Sequence, residues 1–218
     1  MATNAKRRRQ LIAGLGTTAA AVALGAPNVS AQTAPAAFEP SRYPQDDWFG
    51  TRPGKHRVVL DTVTAAGMAD VLRFANNLFV GSKSGYNVEE NDMALVVCLR
   101  HLATSYAYTD ALWAKYGRVL DRAEENGRSA SAPPPTVNAY NTGDRPQLAG
   151  LAKRGVLFMV CATASRGLAT RVAGAEGNVD AVLKEFEAHF IPNARFVSAG
   201  VVGVIHAQER GYSYLHIG

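Results

Sequence analysis

The chain has 218 residues, 47% of them apolar and 19% charged, enough for one domain of ordinary size with a sizeable core, and this excludes a disordered or collagen-like chain. The 23 Lys and Arg outnumber the 18 Asp and Glu, which on its own would raise nucleic acid or an acidic membrane as partners. Four of the basic residues (Lys6, Arg7, Arg8 and Arg9) and none of the acidic ones lie in the first 31 positions, so the remainder is nearly neutral and offers no basic face to nucleic acid.

Residues 1–31 run from that charged patch through an apolar stretch at 11–25 to Pro27-Asn28-Val29-Ser30-Ala31, the order of a signal peptide with cleavage after Ala31. Arg8-Arg9-Gln10-Leu11-Ile12 resembles the twin-arginine export signal, with Arg7 standing where that signal usually carries Ser or Thr. The resemblance implies that a folded protein leaves the cytoplasm, meets the membrane only in transit and works in the periplasm. No later segment offers 18 uninterrupted apolar residues.

Residues 32–54 have prolines, small residues and no period, and read as a linker or an arm lying on the domain, with Trp48 and Phe49 tying its end down. A β-branched run at 57–63 predicts a strand, and Met68, Val71, Leu72, Ala75 and Leu78 have helical spacing. A second apolar strand is expected at 93–99, then helices at 104–116 and 119–125. Residues 127–146, which include Pro133-Pro134-Pro135, break all periodicity and read as an insertion. Beyond it follow a short helix at 147–154, a strand at 156–161, helices at 165–172 and 179–190, a strand at 194–198, a helix at 201–210 and a final strand at 212–217. Strands that are apolar throughout and alternate with helices predict a parallel sheet with helices on both faces. Ligands of such sheets bind at the carboxyl ends of the strands, which directs attention to Thr62, Arg100, His101, Cys161 and Ser198.

The chain has two cysteines. Cys98, inside an apolar run, reads as a small core residue. Cys161 ends its strand and opens the turn Ala162-Thr163-Ala164-Ser165-Arg166 into a helix. A thiol there faces backbone N–H groups and the positive end of a helix dipole, the setting of reactive cysteines, with Thr163 and Arg166 within one turn. A buried structural thiol and a Cys98–Cys161 disulfide are the other two readings. Arg100 and His101 directly follow the second strand, where the imidazole would serve as a base or cation in the same crevice. No Cys-x-x-Cys and no histidine pair four residues apart suggests a metal, and no dinucleotide fingerprint follows a strand of the domain, so no cofactor is expected.

Three stretches carry a resemblance to a family: Gly155-Val156-Leu157-Phe158-Met159-Val160-Cys161-Ala162, then Ala194-Arg195-Phe196-Val197-Ser198-Ala199-Gly200, and the ending Gly211-Tyr212-Ser213-Tyr214. Their order and spacing resemble the DsrE/DsrF-like sulfur-relay family over residues 55–218, and the segment from Arg100 to Gly117 looks like its exported branch. The resemblance implies a flavodoxin-like, three-layer α/β fold with a five-stranded parallel sheet, assembly into homo-oligomers, and a cysteine that carries a persulfide. Only Cys161 matches that cysteine. Two functions follow as expectations. One is an exported sulfur-handling protein that uses Cys161, with Arg100, His101, Thr163 and Arg166 binding the substrate. The other is a non-enzymatic, oligomeric periplasmic module for a small ligand or a metal.

Overall fold

The computed structural model describes residues 38–129, 131–141 and 147–218. The chain separates into two units, Met1–Glu39 and Pro40–Gly218, and all but two of the described residues belong to the second. The export signal lies outside the described residues.

Five strands build the sheet: β1 (His56–Thr62), β2 (Met93–Leu99), β3 (Leu157–Cys161), β4 (Ala194–Val197) and β5 (Ser213–Ile217). Every pairing is parallel and the spatial order is β4-β3-β2-β1-β5. β2, at the centre, is buried along its whole length, which is why its sequence is apolar without alternation.

Helices α1 (Gly67–Tyr86), α2 (Asp110–Asp121), α3 (Leu148–Lys153), α4 (Ala162–Ala173) and α5 (Val179–Ala188) bury their apolar stripes against one face of this sheet. That core contains Leu60, Val97 and Val160 from the strands and Met68, Trp113 and Phe186 from the helices. The next residue along each strand points the other way. Val59, Val96 and Met159 meet α6 (Gly200–Glu209) and a short 3-10 helix, Pro44–Gly50. The architecture is therefore the three-layer, flavodoxin-like α/β arrangement with helices on both faces. Among the described residues, no helix is long and apolar enough to cross a membrane.

Several boundaries differ from the expected ones. The end of the expected linker is the 3-10 helix that carries buried Trp48 and Phe49, and Tyr212 donates to the Phe49 carbonyl at 2.6 Å. Three residues per turn leave no 3.6-residue stripe to read. The helices expected at 104–116 and 119–125 are instead a 3-10 helix, His101–Ala107, followed by the single helix α2. α1 continues eight residues past Leu78, because Phe79 extends the buried stripe and Asn87 closes the helix in a left-handed conformation with φ 52°.

Chain direction fixes where a crevice can open. The crossovers from β1 to β2, β2 to β3 and β3 to β4 step to one side, and their helices lie on one face. The crossover from β4 to β5 runs back across the sheet, and right-handedness puts α6 on the opposite face. The chain thus leaves β3 toward one face and β4 toward the other, and their carboxyl ends flank the topological switch point.

Candidate functional site

Cys161 stands at this switch point. It ends β3, pairs with Val197 of β4, and is itself the N-cap of α4, so no residue separates strand from helix. Its backbone is extended and its Sγ accepts the Ala164 N–H at 3.4 Å, the capping role that Ser or Asp usually fills. Ser165 Oγ donates to the Cys161 carbonyl at 2.9 Å, and Tyr108 donates to Ser165 Oγ at 2.6 Å. Burial pushes the Tyr108 phenol well above its ordinary range, so it remains a donor. The strand-to-helix turn is held from the core, and the cysteine is 8% exposed.

Thr163 and Arg166 lie where the sequence placed them, within one turn of the thiol. Thr163 donates to the Ser198 carbonyl at 3.0 Å, which ties the start of α4 to the turn between β4 and α6. Arg166 pairs with Asp180 at 2.9 Å on the surface, a contact of small energetic value. A cleft of about 570 Å³ opens beside them, with Thr163, Arg166, Phe196 and Ser198 in its wall. Cys161 is not part of that wall.

Both cysteines are free. The register pairs Cys98 with Met159, so Cys161 lies one strand over and two residues on, roughly 8 Å between Cα atoms from strand spacing and rise. A disulfide tolerates at most about 7 Å. Cys98 is fully buried, and burial, with the nearby Asp61 charge added, pushes its thiol well above the ordinary range.

Arg100 and His101 part company. The pairing of Leu99 with Val160 puts Arg100 level with Cys161, but its guanidinium turns toward β1, where Nε and Nη2 donate to Asp61 Oδ1 and Oδ2 at 2.7 and 2.9 Å. His101 has a left-handed backbone with φ 53° and an exposed side chain. Its carbonyl accepts from Arg122 at 2.9 Å.

Asp61 is the residue that sequence reasoning missed. Its side chain is 2% exposed, against 24% for Arg100. Tyr214 of β5 donates to Oδ2 at 2.9 Å, and His216 Nδ1 stands 3.6 Å from the same oxygen. Burial raises the Asp61 pKa, but hydrogen bonds from Arg100 and Tyr214 and the charges of Arg100 and His216 outweigh it, holding the carboxyl below the usual range. α6 begins directly over Arg100, and a Cβ on Gly200 would stand 2.6 Å from the Arg100 Cβ, so glycine permits that approach. The carboxyl edge of the sheet therefore carries a capped thiol at β3 and, across β1, β2 and β5, a polar cluster charge-paired around the buried Asp61. Among the described residues, no three of His, Cys, Asp and Glu gather so as to hold a metal ion.

No protein-family model and no curated protein matches the chain. Among solved structures, a protein of unknown function from Methanobacterium thermoautotrophicum, MTH1491, is similar at 15% identity with a TM-score of 0.41, over 74% of this chain and 99% of that one.

Proposed function

We propose that this protein is an exported, periplasmic carrier of sulfane sulfur of the DsrE/DsrF-like kind, that Cys161 holds the sulfur, and that it works as a homo-oligomer. The observation that carries the reading is the position of the Cys161 sulfur as N-cap of α4 at the switch point of the sheet. A persulfide formed there extends a polarisable, anionic sulfur toward the first-turn N–H groups of a helix, which favour negative charge.

The step is thiol exchange. Sγ loses its proton to solvent and attacks the outer sulfur of a persulfide or of thiosulfate. A new S–S bond forms at Cys161, the donor's own S–S bond breaks, and the electron pair leaves with the donor thiolate or with sulfite. No net oxidation occurs, so no cofactor is required. Arg166, in the wall of the adjoining cleft, binds the anionic end of the donor, and Thr163, whose hydroxyl donates to the Ser198 carbonyl, fixes that wall beside it. Arg100 and His101 were candidates for the same task. Arg100 is held by the buried Asp61 carboxylate, whereas the Arg166–Asp180 pair lies at the surface, where an ion pair is weak, so Arg166 comes first.

Incubation of the purified protein with thiosulfate or glutathione persulfide, followed by intact mass measurement, should add the mass of one sulfur atom, removable by dithiothreitol. Cys161→Ser should abolish the adduct and Cys98→Ser should retain it. An equal adduct on Cys161→Ser overturns the reading. The export half has its own test: lysine at both Arg8 and Arg9 should hold a reporter fusion in the cytoplasm, and unchanged export would refute the twin-arginine route.

A further inference from the structure

The cleft beside Cys161 carries charges of both signs. Ala162 and Thr163, the first residues of α4 after the thiol, belong to its wall, with Arg166 one turn further on. Helix α5 contributes Asp180, Leu183, Lys184 and Glu187, whose spacing places them on one face of that helix. Phe196 of β4, half-buried like Leu183, adds to the apolar part of the wall. Arg166, Asp180, Lys184 and Glu187 are all exposed, so a ligand entering the cleft meets charged groups that solvent already reaches.

These charges are not spent on one another. Arg166 pairs with Asp180 at 2.9 Å, an exposed contact that a ligand can displace at little cost. Among the described residues, Lys184 and Glu187 make no ion pair. Solitary charges on a solvated helix face mean little by themselves. These four line a cleft of about 570 Å³, a volume within the range of small-molecule sites, at the start of the helix that the thiol caps. Asp180 and Glu187 stand about 10 Å apart along α5, from seven residues at roughly 1.5 Å each. A single amino acid holds its ammonium and carboxylate on one carbon and does not span that distance, whereas a tripeptide does.

Resting on the sulfur-carrier reading, we propose that the donor received here is the persulfide of a small peptide thiol, with carboxylates and an ammonium remote from its sulfur, as in glutathione persulfide. Arg166 and Lys184 take the carboxylates, Glu187 takes the ammonium, and the neutral part of the peptide lies along Leu183 and Phe196. Thiosulfate, a small dianion, satisfies the two bases but leaves Glu187 unmatched. The exchange itself is the one given above: the outer sulfur bonds to Cys161, the donor's S–S bond breaks, and the peptide leaves as its thiolate.

Glutathione persulfide, its N-acetyl derivative and its glycine ethyl ester share the reacting sulfur and differ by one remote charge. The rate of adduct formation at Cys161, followed by intact mass below saturation, should be about fivefold lower for each derivative than for the parent, the upper end of what one exposed ion pair supplies. Glu187→Gln should remove the difference made by acetylation, and Lys184→Gln should narrow the difference made by the ester. Both positions are exposed, so neither substitution disturbs the core. Equal rates for the parent and the N-acetyl derivative on the wild type, or a difference that persists unchanged in Glu187→Gln, would overturn this inference and leave the sulfur-carrier reading in place. No adduct from any of the three donors would overturn that reading, and this inference with it.

Discussion

Asp61 should be among the least replaceable residues of the sheet. A buried carboxylate with a bidentate arginine and a tyrosine on it gains little net stability over an apolar pair, but removing one partner strands the other's charge, at about 3–5 kcal/mol where both are buried. Arg100 keeps 24% of its side chain in solvent, so Asp61→Asn is expected to cost about 2–3 kcal/mol, at or below the low end of that range. Urea unfolding at pH 7 would read this as a lower midpoint at unchanged slope. Because the folded pKa is depressed, the contribution is complete above the unfolded value, about 4, and is lost as the pH falls through the folded one. Wild type and Asp61→Asn should therefore converge in strongly acidic solution, and a gap of constant size down to that limit would refute the charge pairing. An aspartate closing the apolar run Val58-Val59-Leu60 is visible in the sequence as an acid that must be matched. Its partners are not, since Arg100 lies 39 residues away and Tyr214 lies 153 away, and only the order of β2, β1 and β5 makes them neighbours.

A single glycine sets how the insertion meets its helix. Tyr116 interrupts α2 with φ −126° and ψ 18°, and at Gly117 the Pro135 carbonyl oxygen comes so near that an added Cβ would stand 1.9 Å from it. Backbone cannot yield as a flexible side chain can, so Gly117→Ala should lift the Pro-rich stretch from α2, at about 1–3 kcal/mol, the usual range for overpacking. Limited proteolysis within 131–141 should accelerate in the variant, and an unchanged cleavage rate would show that the contact does not hold the insertion. The three prolines announce a break in periodicity, and the described residues 131–141 form no helix or strand. Their docking is not legible in the sequence, because Asn138 and Tyr140 act through backbone carbonyls of Tyr106, Tyr108 and Ala65, groups that every residue carries and no sequence pattern marks. The long central elements are easier to read: α1 has a buried face that repeats at 3.6 residues and β2 and β3 run apolar without a break, whereas 3-10 segments such as His101–Ala107 have neither signature.

Across the whole molecule, acid stability is set by four carboxylates held in hydrogen-bonded ion pairs. Asp61, Glu90, Glu125 and Glu185 all have pKa values below the ordinary range, Glu125 down to about 2 because Arg122 and Arg171 both donate to it. Their combined contribution is intact above about pH 4.5, the upper end of unfolded carboxylate values, and fades below it. Thermal midpoints should fall between pH 4.5 and 2, and less steeply in high salt for the three exposed pairs. The homo-oligomer proposed above would use the α6 side of the sheet, where one helix and one short turn cover five strands. Val201 and Ile205 of α6 are each 54% exposed and Val202 is 37% exposed. Tyr214 and Leu215 of edge strand β5 are 44% and 42% exposed. Val201 and Ile205, four residues apart, share one face of α6, and clustered apolar residues left in water mark an interaction surface. Among the described residues β5 bonds only to β1, so its outer edge also has backbone groups open to pairing. If the homo-oligomer proposed above forms here, a charge on this helix face must break it without touching the core. Val201→Lys with Ile205→Lys should give a folded monomer in native mass spectrometry at concentrations where the wild type is oligomeric, with the Cys161 sulfur adduct retained. A wild type that stays monomeric across the same concentrations, or a doubly substituted chain that still assembles, would remove this face from the account.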